Sequence, residues 1–160
     1  HIHLKLSKIP KLNIDYAALK QELVQLNIIT PTAKDISEVV TKIRKQKLPD
    51  PAVIGNAGSF FKNTTISKNK YDLLLKNYPT IPMYPVDDDT VKIPSAWLIE
   101  QAGWKGFRNG DAGCHEKQAL VLVNYGNASG KDIYELALQI IASVEHKFGV
   151  RLTMEVNLWN

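Results

Sequence analysis

The chemistry of this chain starts from a serine set between a glycine and two aromatic residues. In Gly55-Asn56-Ala57-Gly58-Ser59-Phe60-Phe61-Lys62-Asn63, two glycines within four residues permit positive φ and close approach of a ligand to the backbone. Ser59 directly follows Gly58, where the backbone is thin, and can project its hydroxyl. The same letters suit an ordinary tight turn whose hydroxyl bonds its own backbone, and both readings stand at this point. The stretch is not a nucleophile elbow, because Phe61 stands where the second glycine of Gly-x-Ser-x-Gly should be. Glu155 stands between Met154 and Val156 in an apolar segment, where strand alternation can turn it outward to water. Of the four histidines, His1 and His3 are terminal, and His115 and His146 are isolated. No spacing matches a zinc site, so no metal is expected.

Charge narrows the choice of ligand. The net charge is +4 and the pI about 9.1. Of the 20 basic residues only Arg44, Arg108 and Arg151 are arginine. Nucleic-acid readers rely on clustered Arg, so no nucleic-acid partner is expected. The densest basic cluster, Lys42, Arg44, Lys45 and Lys47, suits the C-terminal end of a helix, where the dipole favours cations. The positive balance suits an anionic ligand such as a nucleotide diphosphate.

The elements that must position these residues follow from periodicity. Residues 1–6, His-Ile-His-Leu-Lys-Leu, alternate as a strand does. A strand with no visible partner before it is expected in a piece of a larger protein. Asp15–Leu26 reads as a short helix. Thr30-Pro31 predicts the start of a second, with Thr30 as cap and an apolar stripe at Ile36, Val39, Val40 and Ile43. The proline-rich break at 48–51 marks a domain boundary between 1–47 and 48–160. Beyond it the pattern predicts a glycine loop at 55–58 and helices over 70–77 and 95–102. Pro79, Pro82 and Pro85 predict an extended loop. A buried strand is expected at 119–123 and a long helix from the capping box Ser129-x-x-Asp132 to Gly149. Residues 150–156 are expected to close as a strand, and Trp97, Leu98 and Phe107 to lie in the core. The fold class is α+β: a small mixed or antiparallel sheet with helices packed on it.

Composition agrees with a globular domain, at 44% hydrophobic and 22% charged residues over 160 positions. No apolar run reaches the roughly 18 residues of a membrane helix, so no membrane partner is expected. The single cysteine, Cys114, favours a reducing compartment.

Four ordered blocks carry a resemblance. They are Leu-Pro-Asp-Pro at 48–51 with the Gly55–Asn63 stretch; Ala-Trp-Leu-Ile-Glu-Gln-Ala-Gly at 96–103 with Lys105-Gly106; His-Glu-Lys-Gln-Ala-Leu-Val-Leu-Val-Asn at 115–124; and Lys-Phe-Gly-Val-Arg-Leu at 147–152 with Glu155-Val156. Together they resemble the C-terminal part of the UDP-N-acetylenolpyruvoylglucosamine reductases, the MurB family, in the longer type with an added tyrosine-bearing loop. The resemblance implies that 1–47 is the tail of an FAD-binding domain and 48–160 the substrate-binding domain. The flavin-holding N-terminal part would lie upstream. It implies an NADPH-dependent flavoenzyme of the bacterial cytoplasm, acting on UDP-N-acetylglucosamine enolpyruvate. FAD and NADPH would belong to the full-length enzyme, and neither is expected bound to this chain alone. By the same resemblance Ser59 supplies a proton and Glu155 stabilises or protonates the developing enolate. Tyr16, Lys47, Asn63 and Tyr84 surround the diphosphate, and Gln118 reaches the sugar-enolpyruvyl end. Two departures stand out: Thr64 where proline is usual, expected to loosen the loop, and Met154 where proline often precedes the glutamate. The rival reading is a non-catalytic nucleotide-sugar-binding module.

Overall fold

A computed structural model describes residues 1–158, and the chain divides into two compact units, His1–Lys47 and Leu48–Asn160. The first unit is a pair of helices, α1 (Ala17–Gln25) and α2 (Ala33–Lys47). Leu19 and Leu23 on α1, and Val39 and Ile43 on α2, are buried. Both pairs are four residues apart and so share one helix face. The cap of α2 is Thr32 rather than Thr30. Thr32 Oγ1 accepts from the Asp35 amide (3.3 Å), and Asp35 Oδ2 accepts from the Thr32 amide (2.8 Å). This reciprocal capping box starts the helix two residues later than Thr30-Pro31 suggested. Residues 1–6 form no strand, and Ile2, Leu4 and Leu6 are exposed. Alternation alone does not make a strand; a partner must take up the ladder hydrogen bonds, and no described residue pairs with this segment.

The second unit holds β1 (Gly55–Ser59), β2 (Thr64–Ser67), α3 (Lys68–Asn77), β3 (Tyr84–Pro85), β4 (Thr90–Ile93), α4 (Ser95–Gln101), β5 (Arg108–Asn109), β6 (Ala112–Cys114), β7 (Val121–Asn124) and α5 (Gly130–Phe148). The strands are antiparallel throughout and make two sheets, in the orders β1-β7-β6-β5 and β2-β4-β3. The α+β class holds, with the single expected sheet divided in two. The apolar face of α5 (Leu136, Ala137, Ile140, Ile141, Val144, Phe148) joins Val91, Ile93, Leu98, Ile99 and Leu122 in one core. Ser129 and Asp132 cap α5 reciprocally, and Gly149 ends it at φ 61°, the left-handed turn that glycine takes without a Cβ clash. Phe107 lies at the surface rather than in the core, its ring 4.8 Å from that of Trp104.

Three segments differ from the sequence pattern. Gly55–Ser59 is a strand, not a loop. It pairs Asn56 with Val123 and Ser59 with Val121, so three steps of β1 face two of β7, with Gly58 at φ 74°. That is a bulge, supported by the Asn56 side chain, which accepts from the Gly58 amide at 3.0 Å. Residues 150–156 make one isolated bridge, Phe61 to Met154, instead of a strand. Val150 and Leu152 are nevertheless buried, while Arg151, Thr153 and Glu155 are exposed. The alternation reported which side faces the core but not whether a ladder formed. Within the proline-bearing loop, Tyr84–Pro85 pairs with β4. The hairpin turn is closed by Asp87, whose carboxylate accepts from the Asp89 and Thr90 amides and the Thr90 hydroxyl at 2.7–2.9 Å.

The β5–β6 hairpin packs unusually tightly. A Cβ at Gly113 would lie 2.6 Å from the Tyr125 ring and 3.0 Å from the Phe107 carbonyl. That ring is itself engaged, with the Arg108 guanidinium stacked 4.1 Å from its centroid.

Candidate functional site

Ser59 ends β1 and is exposed, while the next two residues, Phe60 and Phe61, are buried. These aromatics anchor the strand on the core and leave the hydroxyl at its surface. Phe60 is a junction. Its amide donates to the Leu120 carbonyl at 2.7 Å, and its carbonyl accepts from the Glu155 amide at 2.8 Å. Lys62 continues the pairing, donating to the Thr153 carbonyl at 2.9 Å. Ser59 and Glu155 are thereby brought onto adjacent, hydrogen-bonded segments. These two bonds use the carbonyl of Thr153 and the amide of Glu155, and neither uses the amide of Met154. A residue without an N–H at 154 would leave them intact, so methionine in place of proline does not change how Glu155 is tethered.

Gln118 is tied to the same junction from the other side. Its carbonyl accepts from the Val121 amide at 3.0 Å, and Val121 is the register partner of Ser59. Asn63 precedes β2, and its side-chain carbonyl accepts from the Ser95 amide at 3.1 Å. Thr64 is pinned rather than loosened, with its hydroxyl 3.1 Å from Ser95 Oγ. Thr64 pairs with Ile93 and Tyr84 with Lys92. Thr64 and Tyr84 therefore lie on neighbouring rungs either side of β4, about 10 Å apart across two strand spacings.

In the first unit, Lys47 ends α2 and Tyr16 immediately precedes α1. Lys47 Nζ lies 3.5 Å from Tyr16 Oη and 5.8 Å from the ring centroid. The structure therefore gathers the seven candidate residues into local sets within each unit: Tyr16 with Lys47; Ser59, Gln118 and Glu155 around Phe60; Asn63 and Tyr84 flanking β4.

Ser59, Asn63, Tyr84 and Glu155 are exposed, so the donors present an open face rather than an enclosed pocket. A groove of about 340 Å³ beside β1, lined by Gly55, Asn56, Phe60, Ile133 and Val156, has neither Ser59 nor Glu155 in its walls. Cys114 is inert by comparison: burial pushes its thiol up to about 11, and its Sγ lies 3.2 Å from the Ala119 carbonyl. Burial also holds His115 below its ordinary value. No group of three or more metal-ligating side chains occurs among the described residues. Sequence reading missed Ser95, a polar residue within an apolar helix start whose partners lie 31–33 positions away. The only signal available was its type.

An α+β domain with an exposed serine and an exposed glutamate on adjacent, hydrogen-bonded segments is the class these observations define. Residues 50–159 match the family model for the UDP-N-acetylenolpyruvoylglucosamine reductase C-terminal domain, and the chain belongs to that family. It is 49% identical over 158 residues to the UDP-N-acetylenolpyruvoylglucosamine reductase of Pseudomonas savastanoi pv. phaseolicola, covering 99% of this chain and 47% of that protein. With the reductase of Porphyromonas gingivalis it shares 49% identity over 156 residues, covering 98% of this chain and 46% of the relative. The chain thus spans about half the length of the curated relatives it matches. The crystal structure of UDP-N-acetylenolpyruvylglucosamine reductase (MurB) from Thermus caldophilus overlaps 79% of this chain and 34% of its own, at TM-score 0.46 and 23% identity.

Proposed function

We propose that this chain is the substrate-binding and proton-donating part of an NADPH-dependent, FAD-containing reductase of the bacterial cytoplasm. The enzyme would convert UDP-N-acetylglucosamine enolpyruvate to UDP-N-acetylmuramate for peptidoglycan synthesis, with 1–47 the tail of the flavin domain and 48–160 the substrate domain. The observation that carries the reading is the 2.8 Å bond from the Glu155 amide to the Phe60 carbonyl. It holds a carboxylate beside the Ser59 segment in a domain of this family.

The described residues do not themselves fit a flavin or NADPH. Glycines with positive φ stand at 58, 103, 106, 110 and 149, and none of them opens a helix as a phosphate cradle does. Both cofactors are assigned to the N-terminal part that the relatives carry. A flavin held there would be the source of the hydride for the enolpyruvyl methylene carbon. This chain's residues handle what remains: binding the diphosphate and delivering a proton to the adjacent carbon.

Ser59 delivers that proton. A hydroxyl is a weak acid, and the exposure of Ser59 gives it water from which to recover the proton. Glu155 can donate a hydrogen bond to the developing enolate only while protonated. Lys47 with Tyr16 in the first unit, and Asn63 and Tyr84 in the second, are the residues we assign to the diphosphate, since an ammonium and neutral donors can bind one without a metal. The test is the full-length protein containing this chain. NADPH oxidation should depend on added UDP-N-acetylglucosamine enolpyruvate, and oxidation indifferent to that substrate would overturn the proposal.

A further inference from the structure

Ser95, the first residue of α4, is fully buried and is the one buried polar residue among those described. The bonds of its amide and of its hydroxyl all go to one distant tripeptide. Its amide donates to Asn63 Oδ1 at 3.1 Å, its Oγ donates to the Lys62 carbonyl at 2.6 Å, and its Oγ lies 3.1 Å from Thr64 Oγ1. A hydroxyl has one proton. With that proton on the Lys62 carbonyl, the Thr64 hydroxyl must be the donor to Ser95. Three consecutive residues are therefore fastened to a single serine more than thirty positions away.

The consequence falls on the middle residue. A backbone N–H can only donate, so the Asn63 atom facing it must be the carbonyl oxygen, which removes the usual ambiguity between the two ends of an amide. The NH2 end then points away from Ser95. It makes no hydrogen bond among the described residues, and Asn63 is exposed. Two N–H donors are thus held in a fixed direction toward solvent, ready for an acceptor such as a phosphate oxygen.

We infer that Ser95 is a positioning residue that presets the Asn63 amide for an acceptor on the substrate; this rests on the reading of Asn63 as a substrate contact. Without the Ser95 hydroxyl, the Lys62 carbonyl and Thr64 hydroxyl lose their partner, and of the bonds from Ser95 only that of its amide to Asn63 Oδ1 remains. Asn63 is then held less tightly, and part of the ordering of its NH2 group falls at the moment of binding.

The experiment is steady-state kinetics on the full-length reductase containing this chain, with Ser95→Ala, Asn63→Ala and the double variant, varying the UDP-sugar enolpyruvate. Ser95→Ala should raise KM about two- to tenfold, the usual scale for ordering one side chain on binding, with little change in kcat. In the Asn63→Ala background the same substitution should raise KM no further, because the group it positions is gone. If Asn63→Ala raises KM and Ser95→Ala does not, or if the two effects multiply, Ser95 does not act through Asn63. If Asn63→Ala leaves KM unchanged, the reading of Asn63 fails and this inference fails with it. Should Ser95→Ala not yield folded protein, Thr64→Val removes one arm of the bracket from a half-buried position. It should give a smaller KM rise, also abolished by Asn63→Ala; persistence of that rise would overturn the proposal.

Discussion

The amide of Glu155 donates to the carbonyl of Phe60, the residue next to Ser59, at 2.8 Å. Ninety-six positions separate Ser59 from Glu155 in the chain, yet one main-chain hydrogen bond makes their segments neighbours. Because the tether is backbone, substituting either side chain leaves it in place, and the chemistry of each can be tested separately.

For Ser59→Ala in the full-length enzyme, flavin reduction by NADPH is expected at the normal rate, while reoxidation by the enolpyruvyl substrate slows. Glu155→Gln should behave alike. A positioned proton donor or enolate stabiliser contributes roughly 10²–10⁴-fold. Stopped-flow absorbance separates the half-reactions, and equal rates of reoxidation in wild type and Ser59→Ala would remove Ser59 from the mechanism.

Lys47→Ala should act on binding. A contact to a diphosphate remote from the reacting carbon is felt in ground and transition states alike, so KM rises and kcat does not. The loss should be about 1–3 kcal/mol, the scale of a charge-assisted hydrogen bond. Tyr84→Phe should cost less, since only a hydroxyl goes. An unchanged KM in Lys47→Ala would return Lys47 to the solvated cluster of Lys42, Arg44 and Lys45.

The purified chain is expected to be colourless. Its positive-φ glycines sit in a bulge, turns and a helix end rather than at the head of a helix. A stoichiometric flavin absorbance spectrum would contradict this.

Helix caps set the acid behaviour. The Ser129 hydroxyl and amide, both bonded to the Asp132 carboxylate, hold its pKa below the ordinary 3.8, and Thr32 does the same for Asp35. A pKa depressed in the fold contributes stability that is present above the ordinary value and lost as pH falls through the folded one. The N-terminal turns of α2 and α5 should therefore loosen only below about pH 4. Ser129→Ala should cost about 0.5–2 kcal/mol and move the Asp132 titration up toward 3.8. Thermal unfolding by circular dichroism and an NMR pH titration read the two effects.

Helices were the legible part of this fold because their signals are local. The stripe at 36, 39 and 43 and the Ser129–Asp132 box each lie within a few residues, and Gly149 ends the helix that the box starts. Strands were less so, because pairing is decided elsewhere. The alternation at 1–6 finds no partner among the described residues. Thr64–Ser67, only four residues long, is a strand because β4 lies beside it. At the candidate site, residue types suggested Ser59 and resemblance suggested Glu155, but what ties them is Phe60, whose polar contribution is all backbone. The hold of Ser95 on Asn63 spans 32 positions and leaves no periodic trace.

The close packing at Gly113, with the Tyr125 ring 2.6 Å and the Phe107 carbonyl 3.0 Å from where a Cβ would stand, has a genetic consequence. Every missense change in that codon adds a Cβ, and even alanine, the smallest product, meets both obstacles. Moving the ring disturbs the stacked Arg108; moving the carbonyl disturbs the hairpin, since Phe107 accepts from the Cys114 amide at 2.8 Å. In a saturation library of this gene, codon 113 should therefore be depleted of all but synonymous variants, while its neighbour Gly110, with nothing within 4 Å of its would-be Cβ, meets only the milder bar of its left-handed backbone.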